Sequence, residues 1–510
     1  MAAGVGGAAG ATRPFYTEGY KGVVLSLLVV AYTFNFIDRT IISTIGEAIK
    51  VDLKITDTQL GLLGGLYFAL LYTFLGIPIA RLAERFNRVN IISASIVIWS
   101  AFTALCGTAQ NFATLAAYRF GVGFGEAGLS PPAHSLISDY YEPRKRASAL
   151  AVYSFGIPLG TMFGAVAGGW LAQNFSWRVA LMIVGLPGIM IAIAIKLVIK
   201  EPPRGHSEPE PHPALAEDVV AEVNEPAAPK FSLANEFKEL GAVAGTLFGK
   251  WPVLHMVLGV TIASFGSYGS GQFVPPYFIR AFGLDYAQVG LITGLVGGFS
   301  AGIGTLVGGF LTDRLSKRSP RWYALTPAIG LTIATPIYIA AYLQPSWQAA
   351  ALILLVPGIF HYTYLGPTFG VVQNMVELRR RATATALLFF FLNLIALGGG
   401  PPFTGWLIDQ YAQFNFNHMD SHGVLQGLAG LMGGQGGAGE SFAAACPGGL
   451  AAPGSTPEMA QRCSSSLIEA TRSGVIISLC FYVWAAFHYL LGSIGLTQAL
   501  AKARADRGEA

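Results

Sequence analysis

The chain has 510 residues, of which 53% are hydrophobic and only 12% charged, with a mean hydropathy of +0.52 and a formal net charge of +4. Soluble domains carry about twice that charged fraction, so a soluble enzyme or binding module is excluded and a polytopic helical membrane protein is implied. The apolar runs are continuous rather than alternating, which also excludes a β-barrel.

Residues 1–21 are rich in Ala and Gly and are expected to be disordered. Twelve apolar runs of roughly bilayer-crossing length follow, a span needing about 20 residues. Spans 1 to 6 fall near 22–46, 58–83, 89–109, 111–139, 147–172 and 177–200, forming an N-terminal bundle over 22–200. Residues 201–250 are a linker, Pro- and Glu-rich at first. Within it Phe231, Leu233, Phe237 and Leu240, with Glu236, Lys238 and Glu239, predict a short amphipathic helix on the membrane surface. Spans 7 to 12 fall near 251–281, 285–312, 321–343, 346–376, 381–408 and 473–501, with a tail at 502–510. A Gly/Ala/Ser-rich loop over 410–472 separates the last two and is expected to be only partly ordered. Cys106 and Cys480 lie in spans and read as core thiols, whereas Cys446 and Cys463 share the long loop, where an oxidising compartment would permit a disulfide. No metal-ligand spacing occurs, and no cofactor, metal or nucleic-acid partner is expected.

Of the 32 Lys and Arg residues, 24 lie on one side of this topology and six on the other. The positive-inside rule then puts both termini in the cytoplasm and the 410–472 loop outside, with a bacterial inner membrane as the expected location. Internal repetition fixes the architecture. The run Ala80 to Arg88 recurs as Gly309 to Lys317, offset 229; Glu142 to Ser148 recurs as Glu377 to Thr383, offset 235; Gly169-Trp170-Leu171 recurs as Gly405-Trp406-Leu407, offset 236. The fold class is therefore an all-α membrane protein with twelve transmembrane helices, in two six-helix bundles related by a parallel pseudo-repeat.

Ionisable residues inside spans cost at least about 2.5–3.5 kcal/mol each, so they face a partner or water. Span 4 carries Arg119, Gly123 and Glu126 at i, i+4, i+7, on one helix face. Span 1 carries Asn35, Asp38 and Arg39. Burial favours a neutral carboxylate and a nearby guanidinium favours a charged one. Protonating Glu126 or Asp38 is expected to release Arg119, biasing two cavity states differently. A permanent ion pair that only orients spans 1 and 4 is the alternative, and for Arg39 an interface with span 2 or 4 is an equal alternative. Span 5 carries Gly156, Gly160, Gly164 and Gly168, spaced for close helix approach. Spans 7 and 10 have no mid-span carboxylate and instead offer Tyr268, Gln272, Tyr362 and Tyr364, with Ser264 nearby. A cavity charged on one side and aromatic on the other suits an amphipathic substrate. His134 and Asp139 form a His-x4-Asp string, but five-residue spacing sets them about 140° apart on a helix and no nucleophile accompanies them, so no enzyme is expected. His255 and His361 read as isolated packing residues.

The repeated acid–Arg loops resemble the signature loop of the major facilitator superfamily. There Glu84 and Arg85 with Glu142 and Arg146, and Asp313 and Arg314 with Glu377 and Arg381, would form a cytoplasmic latch, acids meeting helix N-termini and arginines tying bundle ends. Asn-x-x-Asp-Arg in span 1, Arg85-Phe86-Asn87-Arg88 after span 2 and Gly125-Glu126-Ala127 in span 4 resemble spinster-type lipid transporters more narrowly. That resemblance implies proton-coupled transport of lysophospholipids or sphingoid lipids by a monomer among membrane lipids. Asp38 and Glu126 would then carry protons, while Arg119, Arg39, Asn35, Tyr268, Gln272, Tyr362 and Tyr364 would bind substrate. A carrier of small organic anions such as sugar acids, using Arg119 as the anion ligand, is the alternative, and a non-transporting receptor or scaffold is the reading from another class.

Overall fold

The computed structural model describes residues 16–207, 233–377, 380–418, 423–433 and 439–505, and these are helical with short connections. Span 1 is Glu18–Thr44 continued by Gly46–Leu53, span 2 is Asp57–Gly64 with Leu66–Arg85, span 3 is Arg88–Cys106, and span 6 is Trp177–Val198. Span 5 joins Pro143–Ser154 to Gly156–Asn174. Among the described residues, eleven spans are long and apolar enough to cross a membrane. The remaining one, span 4, is split into Phe112–Glu126 and Ser130–Tyr140. The split falls where Gly125, Gly128, Pro131 and Pro132 weaken the helix, leaving Glu126 at the end of its first segment.

In the second half the linker helix is Leu233–Phe248, so the Phe231 end of the expected amphipathic stretch lies outside the described residues. Spans 7 and 9 are the continuous helices Trp251–Phe282 and Trp322–Tyr342. Spans 8 and 11 each contain a π turn, Leu295–Ser300 and Leu392–Leu397, and span 10 passes through a tight 3₁₀ turn at Tyr362–Tyr364. Span 12 is Pro457–Gly492, not 473–501. Its 36 residues reach about 54 Å, well beyond the roughly 30 Å hydrocarbon layer. The polar first turns thus stand outside the apolar run that marks the span in sequence. Span 11 likewise continues to Asn417, so the loop expected over 410–472 shrinks from both ends. Cys446 and Cys463 are disulfide-bonded, pinning that loop to span 12. Cys106 is buried, but Cys480 is exposed and is not a core thiol.

Helix packing follows the small residues. A Cβ on Gly160, Gly164 or Gly168 would press into Thr33, Phe36, Ile37, Thr40 or Ile41, so the glycine stripe of span 5 seats span 1 directly on its backbone. At the end of the molecule that holds both described chain ends, the fully buried Arg88 binds the first bundle together. It pairs with Asp139 at the end of span 4 and with Glu201 after span 6 (2.6 Å), and also donates to Ser135 (2.7 Å) and to the Pro202 carbonyl (3.1 Å). Asp139 therefore has a structural partner, while His134 packs edge-on against Tyr153 at 5.3 Å. Replacing Arg88 by methionine leaves Asp139 without a counter-charge and Glu201 with only the Arg204 guanidinium, at 4.0 Å. The expected cost is about 3 kcal/mol, read as a lowered thermal-unfolding midpoint of the detergent-solubilised protein; an unchanged midpoint would count against this anchoring.

Candidate functional site

Spans 1, 2 and 4 meet around a guanidinium, but not the one singled out by helix-face spacing. Arg39 donates to Glu126 at 2.7 Å, with the Glu126 side chain fully buried and that of Arg39 19% exposed. The guanidinium also lies over the rings of Phe36, Phe68 and Tyr72, at 5.0, 4.8 and 4.5 Å from their centres. Arg119, expected to pair with Glu126 or Asp38, instead donates to the Leu63 carbonyl at 3.1 Å and lies 5.4 Å over the Phe68 ring. The reason is close packing. A Cβ on Gly123 would collide with the Phe68 carbonyl, so span 2 sits tight against the Arg119–Glu126 face and separates the two groups laterally. Asp38 accepts from Thr103 of span 3 at 3.1 Å. Phe68, Tyr72 and Thr103 are thus partners that the sequence reading missed; the four-residue spacing of Phe68 and Tyr72 on span 2 was the available signal.

This cluster leaves several buried polar atoms without a hydrogen bond. They are one oxygen of Asp38, one oxygen of Glu126 and both amide atoms of Asn35. Asn35 lies near Glu126 yet completes no bond with it. Buried polar atoms are nearly always satisfied in folded chains, and exceptions gather where a ligand, ion or proton acts.

The second half supplies the facing wall. Tyr268 of span 7 is 42% exposed and within electrostatic range of Arg39. Gln272, one turn further, is buried against Gly64 of span 2, with its amide nitrogen unbonded. Tyr362 is half-buried, whereas Tyr364 is turned into the bundle, sharing a hydrogen bond with Ser264 at 3.1 Å. His361 is not isolated. Its ring sits among Tyr338, Tyr362, Tyr364 and Tyr482, at 4.4 to 6.0 Å. His255 is not isolated either, lying 2.8 Å from His488 of span 12.

The two halves are joined at the end away from the chain ends. Arg280 of span 7 binds Glu47 of span 1 at 2.6 Å and Asp57 of span 2 at 2.7 Å, and Asp57 also binds Lys50 at 2.6 Å, all deeply buried. Beside this network the internal repeat reappears as structure. Asp409, four residues after Gly405, accepts from the backbone N–H groups of Asp57 (2.9 Å) and Thr58 (2.8 Å), capping span 2 of the other half. Gln173, four residues after Gly169, accepts from the backbone N–H of Tyr286 at 3.1 Å, at the start of span 8. Asp57 and Tyr286 are themselves 229 residues apart, and each follows a capping box, Thr56 with Gln59 and Asp285 with Gln288. A Cβ on Gly405 would strike the Asp57 carbonyl, and one on Gly169 the Tyr286 carbonyl. Acid-to-helix-end chemistry, expected at the other end, is assembled here.

At the chain-terminal end the first repeated loop makes contacts within its own half. Glu84 pairs with Arg81 of its own helix at 3.1 Å, and Arg146 donates to the Ser138 carbonyl at 2.9 Å. Arg85, Glu142, Asp313, Arg314 and Glu377 are exposed and Arg381 is half-buried.

A model of the Major Facilitator Superfamily matches residues 28–401. A crystal structure of a bacterial homolog to the human lysosomal transporter Spinster, inward-facing and unoccupied, is 33% identical, aligns with 96% of this chain and 99% of its own, and superposes with a TM-score of 0.78. An MFS-type efflux pump of Mycolicibacterium smegmatis is 30% identical, over 76% of this chain and 84% of its own length. A hexuronate transporter of Bacillus subtilis is 24% identical, over 77% of this chain and 89% of its own length.

Proposed function

We propose, from the premise that this chain belongs to the major facilitator superfamily and within it to the spinster type, that this integral membrane transporter is a secondary active carrier, driven by protons and working by alternating access. Asp38 and Glu126 take and release the protons. The observation carrying this reading is the Arg39–Glu126 pair, buried beside Asp38 and Asn35 with four polar atoms unsatisfied. A proton on Glu126 weakens its hold on Arg39, and the released guanidinium can engage an anionic head group. Arg119 lends a second positive charge on the same wall, Gln272 an unbonded amide, and Tyr268 and Tyr362 an aromatic surface for an apolar chain.

Both termini are cytoplasmic, in a bacterial inner membrane. The charge count supports this, as does the Cys446–Cys463 bond, which suits an oxidising compartment at the opposite end. The network around Arg280 is then the closed outer gate of an inward-facing conformation. In the opposite state Glu84, Arg85, Glu142 and Arg146 approach Asp313, Arg314, Glu377 and Arg381 and close the cytoplasmic side.

The substrate is an amphipathic lipid such as a lysophospholipid or a sphingoid lipid. The second reading, a carrier of sugar acids, draws on the hexuronate transporter relative and on the two guanidinium groups. Uptake into proteoliposomes separates them. Labelled lysophospholipid should enter and be displaced by unlabelled lysolipid but not by glucuronate; glucuronate uptake without lysolipid flux would overturn the lipid assignment.

A further inference from the structure

The loop between spans 11 and 12 contains a helix, Val424–Met432, built the wrong way round for a water-facing element. A surface helix turns its apolar stripe inward and its polar residues out. Here the inward face is glycine. A Cβ on Gly427 would enter the Tyr411 ring and one on Gly430 the Phe414 ring, so this helix lies directly on two aromatic side chains of span 11. The Tyr411 hydroxyl donates to the Val424 carbonyl at 2.8 Å, fixing the first turn. At 100° per residue, Leu425, Leu428 and Met432 fall within about 60° of one another, on the side opposite the two glycines. Leu425 is 80% and Met432 78% exposed, and Leu428 is 37% exposed. No residue from Val424 to Met432 is charged.

An apolar face of this kind has several conceivable occupants, and the position of the helix favours one. Trp406 of the same span is 46% exposed, and its repeat partner Trp170 in the other half is 53% exposed and in edge contact with Phe175. Exposed tryptophans at matching levels of both halves mark the aromatic belt where a spanning protein meets the membrane–water boundary. Tyr411 is five residues beyond Trp406, about 8 Å along the helix axis. That distance sets Val424–Met432 beside the polar head-group layer, the depth at which interfacial helices lie with their apolar side 5–10 Å into the boundary.

We propose that Val424–Met432 is an interfacial helix that inserts Leu425, Leu428 and Met432 into the membrane leaflet at the end away from the chain termini. Its lack of basic residues makes the contact one with acyl chains rather than with anionic head groups. The insertion anchors the disulfide-pinned loop beside the outer gate.

Spin labels at Leu425→Cys and Met432→Cys, each in a Cys480→Ser background and reconstituted in phosphatidylcholine liposomes, test the proposal. Collision with oxygen, which concentrates in lipid, should exceed collision with a water-soluble nickel chelate by about threefold or more at both positions. A label at Ser455→Cys, on the exposed stretch inside the Cys446–Cys463 loop, should show the reverse. Values at Leu425 and Met432 matching those at Ser455 would overturn the proposal, since the face would then be in water. Exclusion of both reagents would also overturn it, by showing that a second copy or another protein surface covers the helix. Adding phosphatidylserine should leave the ratio unchanged; a rise confined to anionic vesicles would contradict the acyl-chain assignment.

Discussion

Replacing Arg280 by methionine is expected to open the outer end of the molecule. The guanidinium holds Glu47 and Asp57 at 2.6 and 2.7 Å, with all three side chains less than a tenth exposed. Methionine keeps an apolar stem and removes the charge. Asp57 retains Lys50, but Glu47 is left buried without a counter-charge. Removing one partner of a buried pair costs about 3–5 kcal/mol. Here that penalty falls on the closed end alone, because opening lets water reach Glu47. The equilibrium between the two conformations should therefore move toward the outward-open state by a factor on the order of 100 or more. Spin labels on Asn174 and Leu343, one on each half at this end, should show a short-distance population in the parent protein that gives way to a longer one in the variant. An unchanged distance distribution would mean that the network is not what closes the gate.

Glutamine at position 126 is expected to have the largest functional effect. It matches glutamate in size and can still accept a hydrogen bond from Arg39, but it can neither carry the charge nor take up a proton. The response of transport to a pH gradient should be lost, while movement of substrate down its own gradient continues. The packing of spans 1, 2 and 4 depends on Gly123 against Phe68 and on the rings around Arg39, none of which the substitution touches. The unfolding midpoint should accordingly stay close to that of the parent, which separates lost coupling from lost folding.

Much of the fold was legible because membrane spans declare themselves by length and apolar composition, and because the two halves share offsets of 229 to 236 residues. Span 12 was misplaced where that signal fails. Gln461, Arg462 and Ser464 to Ser466 look like loop, yet they continue a helix that has left the hydrocarbon layer. The residues of the central cluster were also legible, since charges in apolar runs are few and expensive. Their pairing was not. Arg119 and Glu126 share a helix face by spacing, but the glycine between them admits span 2, and Arg39 reaches Glu126 from across the bundle. The network around Arg280 was hidden for a different reason. Lys50 and Arg280 were counted only as charges on the sparsely basic side, and Glu47 and Asp57 sit at span ends where polar residues are ordinary. The recurrence of Gly-Trp-Leu was visible, but its use was not. Only the assembled halves show that the fourth residue after each glycine, Gln173 or Asp409, caps a helix of the opposite bundle.

The most direct measurement is the initial rate of lysophospholipid flux in proteoliposomes, with and without an imposed pH gradient, for the parent chain beside Glu126→Gln. Flux that the gradient accelerates in the parent and leaves unaltered in the variant is the expected result. Equal acceleration in both would contradict proton coupling through Glu126.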